Sequence, residues 1–177
     1  GGRGTVNHFG LTKDVDLIMG TFSKSFASLG GFIATDKEVT NFLRHHSRSY
    51  IFTASITPAS TAAALKAIDI MIAEPERQQH LWDLTNYALE GFRSMGFEIG
   101  NTSTPIIPLF IRDDFKTFAI THDLLDEGVF VNPVVSPAVA PQDTLIRFSL
   151  MATHTKEQVT TGLEKIQKVF RKYNLVP

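Results

Sequence analysis

The chain has 177 residues, of which 43% are hydrophobic, and its 17 basic and 18 acidic side chains leave a net charge of −1. This balance gives no global electrostatic case for binding nucleic acid, and no apolar run approaches the roughly 20 residues that span a bilayer. The chain has no cysteine, which excludes disulfides and thiolate metal sites and fits a reducing compartment.

The first half of the chain is predicted to contain two short strands followed by three helices. The apolar and helical periodicities place two buried strands over 15–19 and 32–34 and helices over 37–46, 58–73 and 76–95. Asp36 predicts the N-cap of the first helix. Thr57-Pro58 predicts the start of the second, because proline in the first helical position gives up no needed donor. Gly96 predicts the end of the third.

The second half predicts a small α+β unit. Its pattern reads, in chain order, as a strand over 106–111, a helix over 115–127, strands over 129–131 and 145–150, and a helix over 156–170. Gly128 is expected to terminate the first of these helices. Thr155 and Gln158 have the spacing of a capping box that opens the second. The polar, turn-rich segment 96–104 predicts a boundary, which divides the chain into 1–96 and 97–177.

Lys24 is the residue in this sequence that most strongly indicates chemistry. It lies between the two predicted buried strands, where desolvation disfavours the ammonium form. Such a lysine serves in other proteins as a Schiff-base nucleophile toward an aldehyde cofactor. The hydroxyls of Thr21 and Ser23 are donors that a cofactor phosphate needs. From the spacing alone, such a lysine is more often a rim residue that extends to water, with neighbouring hydroxyls that satisfy local backbone.

Four collinear segments give this pattern a family context. They are Gly2-Arg3-Gly4, Asp16 to Phe26, Ile51 to Pro58, and Gly128-Val129-Phe130-Val131-Asn132-Pro133 continued by Ile146-Arg147-Phe148-Ser149. Together they resemble the α-oxoamine synthases, which use pyridoxal 5′-phosphate (PLP) to condense an amino acid with an acyl-CoA and release carbon dioxide. The resemblance implies the PLP-dependent transferase fold of type I, an α/β fold. Residues 1–96 would be the C-terminal part of the large PLP-binding domain, and 97–177 the small C-terminal domain.

The resemblance assigns roles to the residues around Lys24. Lys24 would hold the cofactor as a Schiff base and, once freed by the amino acid, take the Cα proton as general base. Thr21 and Ser23 match positions that bind the cofactor phosphate. No metal is implied.

Two further segments carry predicted ligand contacts. Thr53 and the Ala54 N–H precede a helix start, where backbone donors favour an anion. In the family this segment reaches the phosphate of the neighbouring subunit, which implies a homodimer with shared sites; the alternative is an N-cap cluster serving only its own helix. Arg147 lies in an apolar strand, where a buried arginine needs an anionic partner. It matches the family arginine that holds the substrate carboxylate, and a structural ion pair is the alternative.

Within the family, the runs 16–32, 128–141 and 146–155 are most like bacterial serine palmitoyltransferases. The resemblance therefore implies condensation of serine with palmitoyl-CoA. The alternatives within the family are 8-amino-7-oxononanoate synthase, glycine C-acetyltransferase and 5-aminolevulinate synthase. Two further alternatives are a PLP aminotransferase of the same fold and a non-catalytic partner subunit, which the presence of Lys24 disfavours. The family comparison also predicts that the chain is the C-terminal portion of a longer enzyme, whose upstream part contains the residues that stack on the cofactor ring and pair with its pyridine nitrogen. We expect a cytoplasmic location, with peripheral contact to the inner membrane left open.

The remaining features favour structural interpretations. The Pro-rich segment 132–141 resembles a substrate-gating loop of the family, and rigid packing explains it equally well. The histidines show no metal-ligand spacing with carboxylates or with one another. The basic residues Lys165, Lys168, Arg171 and Lys172 predict a solvated helix face, with contact to a CoA or membrane phosphate as the alternative.

Overall fold

The structure is a computed structural model that describes residues 2–177. Its helices and strands in chain order are α1 (Thr5–His8), β1 (Ile18–Thr21), β2 (Gly31–Ala34), α2 (Lys37–His46), α3 (Arg48–Ile51), α4 (Pro58–Ala73), α5 (Glu76–Ser94), β3 (Ile106–Phe110), α6 (Asp114–Asp126), β4 (Asn132–Val134), β5 (Leu145–Ser149) and α7 (Lys156–Lys172), with a short 3-10 helix at Pro141–Asp143 before β5. The short helices α1 and α3 were not predicted from the sequence. The other helices begin and end within two residues of the predicted bounds.

The chain divides into two compact units, one ending at Pro75 and the other formed by Glu76–Pro177. The sequence predicts the division after residue 96, but α5 packs with the second unit. Its buried residues Leu84, Ala88 and Phe92 belong to that unit's hydrophobic core. The division between the units therefore lies after α4. The polar segment that follows α5 gives no information on which unit this helix packs with. The boundary after residue 96 as a limit between the domains of the whole enzyme stays a prediction.

In the first unit, β1 and β2 form an antiparallel hairpin in which Ile18 pairs with Ala34 and Thr21 with Gly31. The strand predicted over 32–34 is confirmed by β2. The strand predicted over 15–19 begins three residues later, at Ile18, and the predicted burial of both strands is wrong. Met19 is 70% exposed and Ile33 is 51% exposed. Within the described residues these strands pair only with each other. A two-stranded sheet has its apolar side chains buried only where further strands or a helix pack against it.

The helix starts of the first unit follow the predicted signals. Asp36 is the N-cap residue of α2, although its side chain makes no capping hydrogen bond. Thr57 caps α4 as predicted, because its Oγ1 accepts a hydrogen bond from the Ser60 N–H at 3.3 Å, and Pro58 occupies the first helical position.

The second unit is built on a three-stranded antiparallel sheet in the order β3-β5-β4, with α5, α6 and α7 completing its core. The inward side chains of β3 and β5, Ile107, Leu109 and Ile146, have no exposed surface. The predicted capping box at the start of α7 is present, with the Thr155 N–H donating to Gln158 Oε1 and the Gln158 N–H to Thr155 Oγ1. The predicted strand–helix–strand–strand–helix order of this unit is confirmed.

One predicted strand of this unit lies three residues further along the chain than expected. Residues 129–131 are not a strand, and β4 begins at Asn132. The reason is the helix terminus before them, since the Gly128 N–H donates to the Leu125 carbonyl at 2.9 Å and the Val129 N–H to the Leu124 carbonyl at 2.8 Å. Gly128 has a φ of +79°, as this helix termination requires, which confirms its predicted role.

No helix in the described part of the chain is both long enough and apolar enough to cross a membrane.

Candidate cofactor and substrate site

Lys24 lies in a tight turn between β1 and β2. The Phe22 N–H donates to the Gly30 carbonyl and the Ser28 N–H to the Phe22 carbonyl, both at 2.9 Å, so these bonds continue the hairpin beyond its strands. The Ala27 N–H donates to the Lys24 carbonyl at 3.0 Å and closes the turn that contains the lysine. The Lys24 side chain is exposed, and within residues 2–177 no carboxylate pairs with it.

The turn around Lys24 contains a strained residue. Ala27 has a φ of +47°, in the left-handed region where a Cβ atom is disfavoured. Aromatic side chains support the turn, with the rings of Phe22 and Phe26 edge-on at 5.7 Å and those of Phe22 and Phe32 at 5.8 Å. Residues held in sparsely populated conformations persist where the surrounding contacts enforce them, and they cluster at functional sites.

The same turn packs against the start of α4. Ser28 Oγ donates to the Ser60 carbonyl at 2.7 Å. A Cβ atom on Gly30 would lie 2.9 Å from Ile56 Cδ1, so a side chain at this position would displace that contact. A depression of about 600 Å³ lies between the turn and the helix, lined by Ser23, Ala27, Ser28, Leu29, Ala59, Ser60 and Ala63. Sequence reasoning did not select Ser28, because no motif or spacing marks a serine whose partner is a backbone carbonyl far along the chain.

Of the two predicted phosphate contacts, Ser23 lies at this depression and Thr21 is not among the residues that line it. Thr21 ends β1 and Ser23 lines the depression, and both residues are exposed. Neither hydroxyl takes part in a hydrogen bond within the described residues, so neither is used to satisfy local backbone.

Thr53 and Ala54 lie in the exposed segment between α3 and α4. The capping of α4 belongs to Thr57, whose Oγ1 also donates to Ser60 Oγ at 3.0 Å and whose carbonyl accepts from Thr61 Oγ1 at 3.1 Å. Thr53 makes no capping bond to its own helix. The structure thus separates the helix cap from the segment predicted to contact a phosphate.

Arg147 lies at the middle of β5, and its predicted burial is wrong. The strand alternates, so that Ile146 and Phe148 point into the core while Arg147 and Ser149 lie on the exposed face. Apolar neighbours on both sides of an arginine in the sequence lie on the opposite face of the strand from it, so they do not show that the arginine is buried. The Arg147 guanidinium donates from one terminal nitrogen to Asn132 Oδ1 at 3.3 Å, and no carboxylate within residues 2–177 forms an ion pair with it.

Arg147 lines a cavity of about 690 Å³ in the second unit. Its walls come from residues 128–131 and Asn132 at the start of β4, from β5 and the loop that follows it, and from the first turns of α7. Apolar side chains such as Phe130 and Met151 form much of the surface and are 79% and 57% exposed. His154 also lines the cavity, and its Nδ1 accepts a hydrogen bond from the Met151 N–H at 3.2 Å. A guanidinium beside an apolar wall suits a ligand with a carboxylate and a hydrocarbon part.

The basic face of α7 is occupied by contacts to α6. Lys168 Nζ lies 2.7 Å from Glu127 Oε1, and Lys172 Nζ lies 2.7 Å from Asp123 Oδ2, to which the Tyr173 hydroxyl also donates at 2.9 Å. The hydrogen bond from Lys172, with that from Tyr173, lowers the pKa of Asp123 below its usual range. Lys168 likewise lowers the pKa of Glu127. These contacts indicate that the two lysines connect α7 to α6, and they do not indicate a phosphate site.

One histidine lies closer to carboxylates than the sequence spacing suggested. His122 Nδ1 is 3.3 Å from Asp126 Oδ2, and potential ligand atoms of His122, Asp123 and Asp126 lie within 4.8 Å of one another. Asp123 is already paired with Lys172 and Tyr173, and the group is largely exposed. The helical i,i+4 spacing explains its proximity without a metal.

Comparison with known proteins places the chain in a family. The family model described as aminotransferase class I and II matches residues 1–166. The chain belongs to this family. It is 62% identical over 175 residues to a serine palmitoyltransferase of Bacteroides thetaiotaomicron and 58% identical over 170 residues to one of Sphingobacterium spiritivorum. It is 39% identical over 168 residues to an 8-amino-7-oxononanoate synthase of Petrotoga mobilis.

These matches cover nearly all of this chain but less than half of each relative. The match to the Bacteroides thetaiotaomicron protein covers 99% of this chain and 44% of that protein, and the other two matches cover 43% of their relatives. The chain therefore spans less than half the length of the curated relatives it matches. The predicted resemblance to the α-oxoamine synthases, and to bacterial serine palmitoyltransferases among them, is confirmed.

Solved structures show the same fold. The Sphingomonas wittichii serine palmitoyltransferase matches with a TM-score of 0.93 and 33% identity, over 99% of this chain and 45% of that one. A high-resolution structure described as SPT with PLP matches with a TM-score of 0.92 and 32% identity, over 98% of this chain and 44% of that one. The predicted α/β fold of the type I PLP-dependent transferases is confirmed.

Proposed function

We propose that the full-length protein is a PLP-dependent acyltransferase that condenses serine with a long-chain acyl-CoA, palmitoyl-CoA, and forms 3-ketosphinganine, CoA and carbon dioxide. This is the first step of sphingolipid synthesis. The proposal is carried by one observation: a lysine in a strained, tightly bonded turn, flanked by unbonded hydroxyls, in a chain 62% identical to a serine palmitoyltransferase over nearly all of its residues.

The residues of the first unit fit PLP. An aldehyde cofactor needs an amine free of ion pairs, and Lys24 is exposed with no carboxylate partner in the described residues. A phosphate needs hydrogen-bond donors, and the hydroxyls of Thr21 and Ser23 are not engaged elsewhere in this part of the chain. The depression lined by Ser23 and the first turn of α4 adds the positive end of a helix dipole.

Each residue then has a defined task. Bound PLP supplies the electron sink that allows bonds at the amino acid's Cα to break heterolytically. Lys24 Nζ would hold the cofactor covalently and, once released by the amino acid, accept the Cα proton. Thr21 and Ser23 would donate to the phosphate.

Arg147 would bind the carboxylate of the amino acid. Its guanidinium is exposed on β5, lines a cavity, and has only a neutral amide as its side-chain partner in the described residues. Two parallel N–H donors would fix the orientation of the carboxylate, which decides which bond at Cα is held for cleavage.

Thr53 and the Ala54 N–H would contact the phosphate of a neighbouring subunit in a homodimer. The support is that both residues are exposed and that Thr57 caps α4, so within residues 2–177 Thr53 is not used to cap this helix. Hybrid dimers of a Lys24→Ala chain and a Thr53→Val chain test this. If the contact is made in trans, one site of the hybrid collects both defects and the other is intact, so activity reappears. Hybrids shown to form but without activity would place the contact within one subunit.

The reaction is tested with the purified full-length protein, serine and palmitoyl-CoA. We expect release of CoA that depends on serine, with 3-ketosphinganine identified by its mass. The 39% identity to 8-amino-7-oxononanoate synthases supports that reaction as the second candidate, and the identity of the product distinguishes them. Glycine C-acetyltransferase activity would appear as a preference for glycine and acetyl-CoA. Transfer of the amino group to a keto acid without CoA release would identify an aminotransferase, and no activity without a second chain would identify a partner subunit.

The proposal includes a cytoplasmic enzyme with peripheral contact to a membrane. Cell fractionation tests it, because salt should release the full-length protein from the membrane fraction without detergent.

A further inference from the structure

Asn132 and Arg147 form a cross-strand pair on the exposed face of the second unit's sheet. Asn132 is the first residue of β4 and lies directly opposite Arg147 on β5. Its Oδ1 accepts a hydrogen bond from a terminal nitrogen of the guanidinium at 3.3 Å. The residue opposite Arg147 on the other side, Pro108 of β3, has no polar side-chain atom. Asn132 is therefore the one side chain in the described residues that fixes the guanidinium through a hydrogen bond.

The charged residues that share the cavity with this pair are engaged elsewhere. Lys165 Nζ donates to the Glu127 carbonyl at 2.6 Å. Glu157 lies in the first turn of α7, where its own backbone N–H and then the Thr155 hydroxyl lower the pKa of its carboxyl. Neither residue forms a bond with Arg147. Within the described residues, the guanidinium thus keeps its charge available to a ligand.

The chemistry of the pair suits a site that must attract an anion. An amide oxygen accepts one N–H of a guanidinium that has five such donors, so the others stay available. It adds no negative charge, whereas an aspartate at the same position would form an ion pair and compete with the ligand's carboxylate. Asn132 has a short side chain on a strand paired to β5, which restricts where its oxygen can lie.

We propose that Asn132 is a positioning residue, which orients the Arg147 guanidinium toward the cavity and leaves its charge free for the carboxylate of the amino-acid substrate. This inference rests on the proposed function, in which Arg147 binds that carboxylate.

The test measures serine binding to the full-length PLP-loaded protein by titration calorimetry, with KM for serine and kcat measured alongside. Asn132→Ala should weaken serine binding by about two- to tenfold, the range of a single net hydrogen bond. It should raise KM for serine more than it lowers kcat. Asn132→Asp, which restores an acceptor but adds a charge, should weaken serine binding more than Asn132→Ala does. Asn86→Ala, the same substitution on the exposed side of α5, is the matched control and should change neither constant.

The double variant with Arg147→Ala separates this inference from the function on which it rests. If Asn132 acts through the guanidinium, its replacement should have no further effect on serine binding once Arg147 is alanine. If Asn132→Ala weakens serine binding equally in the parent and in Arg147→Ala, the positioning role is overturned. It is also overturned if Asn132→Ala and Asn132→Asp both bind serine as tightly as the parent while Arg147→Ala binds it weakly. Serine affinity that is unchanged in Arg147→Ala itself would instead overturn the substrate role of Arg147. Asn132→Ser, which keeps an acceptor, replaces Asn132→Ala if the latter lowers the melting temperature, and a partial loss is then expected.

Discussion

The turn around Lys24 and the strand around Arg147 hold their side chains by opposite means. Lys24 lies in an irregular segment fixed by three backbone hydrogen bonds, a residue with positive φ and a seryl contact to α4. Arg147 lies in a regular strand whose alternate residues, Ile146 and Phe148, are inserted into a core. The first side chain is placed by local backbone geometry and the second by the packing of a whole unit.

The distribution of buried residues follows the same contrast. Among the described residues, every member of the hydrophobic core cluster lies in the second unit, and Ala64 is the only buried hydrophobic residue of the first. The hairpin that leads into the Lys24 turn exposes apolar residues on both strands. A substitution near Lys24 should therefore affect chemistry with little effect on the stability of this chain, whereas core substitutions behind Arg147 should affect stability first.

The largest effect is expected for Lys24→Ala in the full-length protein. Loss of the general base alone should reduce turnover by about 10²–10⁴-fold, and loss of the covalent attachment adds to this. Borohydride reduction of the PLP-loaded protein followed by peptide mass spectrometry should locate the cofactor on Lys24 in the parent and on no lysine in the variant. Lys13→Ala, which removes another exposed lysine of the first unit, is the control and should keep both label and turnover. A label on a different lysine of the parent would show that the assignment is wrong.

The next effect concerns the core of the second unit. Phe92 has no exposed surface, and its ring contacts those of Phe97 and Phe148 at 5.1 and 5.2 Å. Phe92→Ala should lower the free energy of unfolding of the 177-residue chain by about 3–5 kcal/mol, measured by urea denaturation. Phe9→Ala removes a phenylalanine that is 67% exposed in the first unit and should change it by less than about 0.5 kcal/mol. Equal losses in the two variants would remove the contrast between the units.

A smaller effect is expected for Arg147, and it should appear in binding instead of stability. Arg147→Ala should weaken serine binding to the full-length protein by about 1.5–3 kcal/mol, roughly ten- to a hundredfold, the range for a hydrogen-bonded charge. Arg147→Lys should lose less, because an ammonium keeps the charge without the planar pair of donors. The visible absorbance of the bound cofactor should stay unchanged in both. A large fall in melting temperature with normal serine binding would show that the arginine is structural.

Local signals predicted local features well. Thr57-Pro58, the Thr155–Gln158 pair and Gly128 each act within one helix turn, so the sequence contains the whole cause of those helix ends. The four collinear segments, of which one contains Lys24, likewise identified the family that the comparisons confirm.

Burial and assignment to a unit could not be predicted in the same way. Arg147 is exposed because of strand alternation against a core that its neighbours in sequence do not reveal. α5 joins the second unit through side chains such as Phe92, whose partners lie far along the chain. The contacts Ser28–Ser60 and Asn132–Arg147 link residues distant in sequence, and no motif of either partner indicates the other.

The smallest expected effect is the dependence of the second unit's stability on pH through Asp123. Hydrogen bonds from Lys172 and Tyr173 lower the pKa of this carboxyl in the folded state. Its contribution is therefore fully present above the unfolded pKa of about 4, and it is lost as the pH falls through the lower folded value. Asp123→Asn should destabilise the 177-residue chain slightly at pH 6, and it should reduce the further loss of melting temperature between about pH 4 and pH 2.

Asp83→Asn removes an exposed carboxylate of α5 whose partner is the neutral Gln79, and it should leave the acid profile like that of the parent. Lys168 lowers the pKa of Glu127 and Arg112 lowers the pKa of Glu98, so these carboxyls also lose a stabilising contact in acid. Part of the acid sensitivity should therefore persist in Asp123→Asn. An acid profile that is identical in Asp123→Asn and the parent would show that the contact between α6 and α7 at this residue contributes nothing to folding.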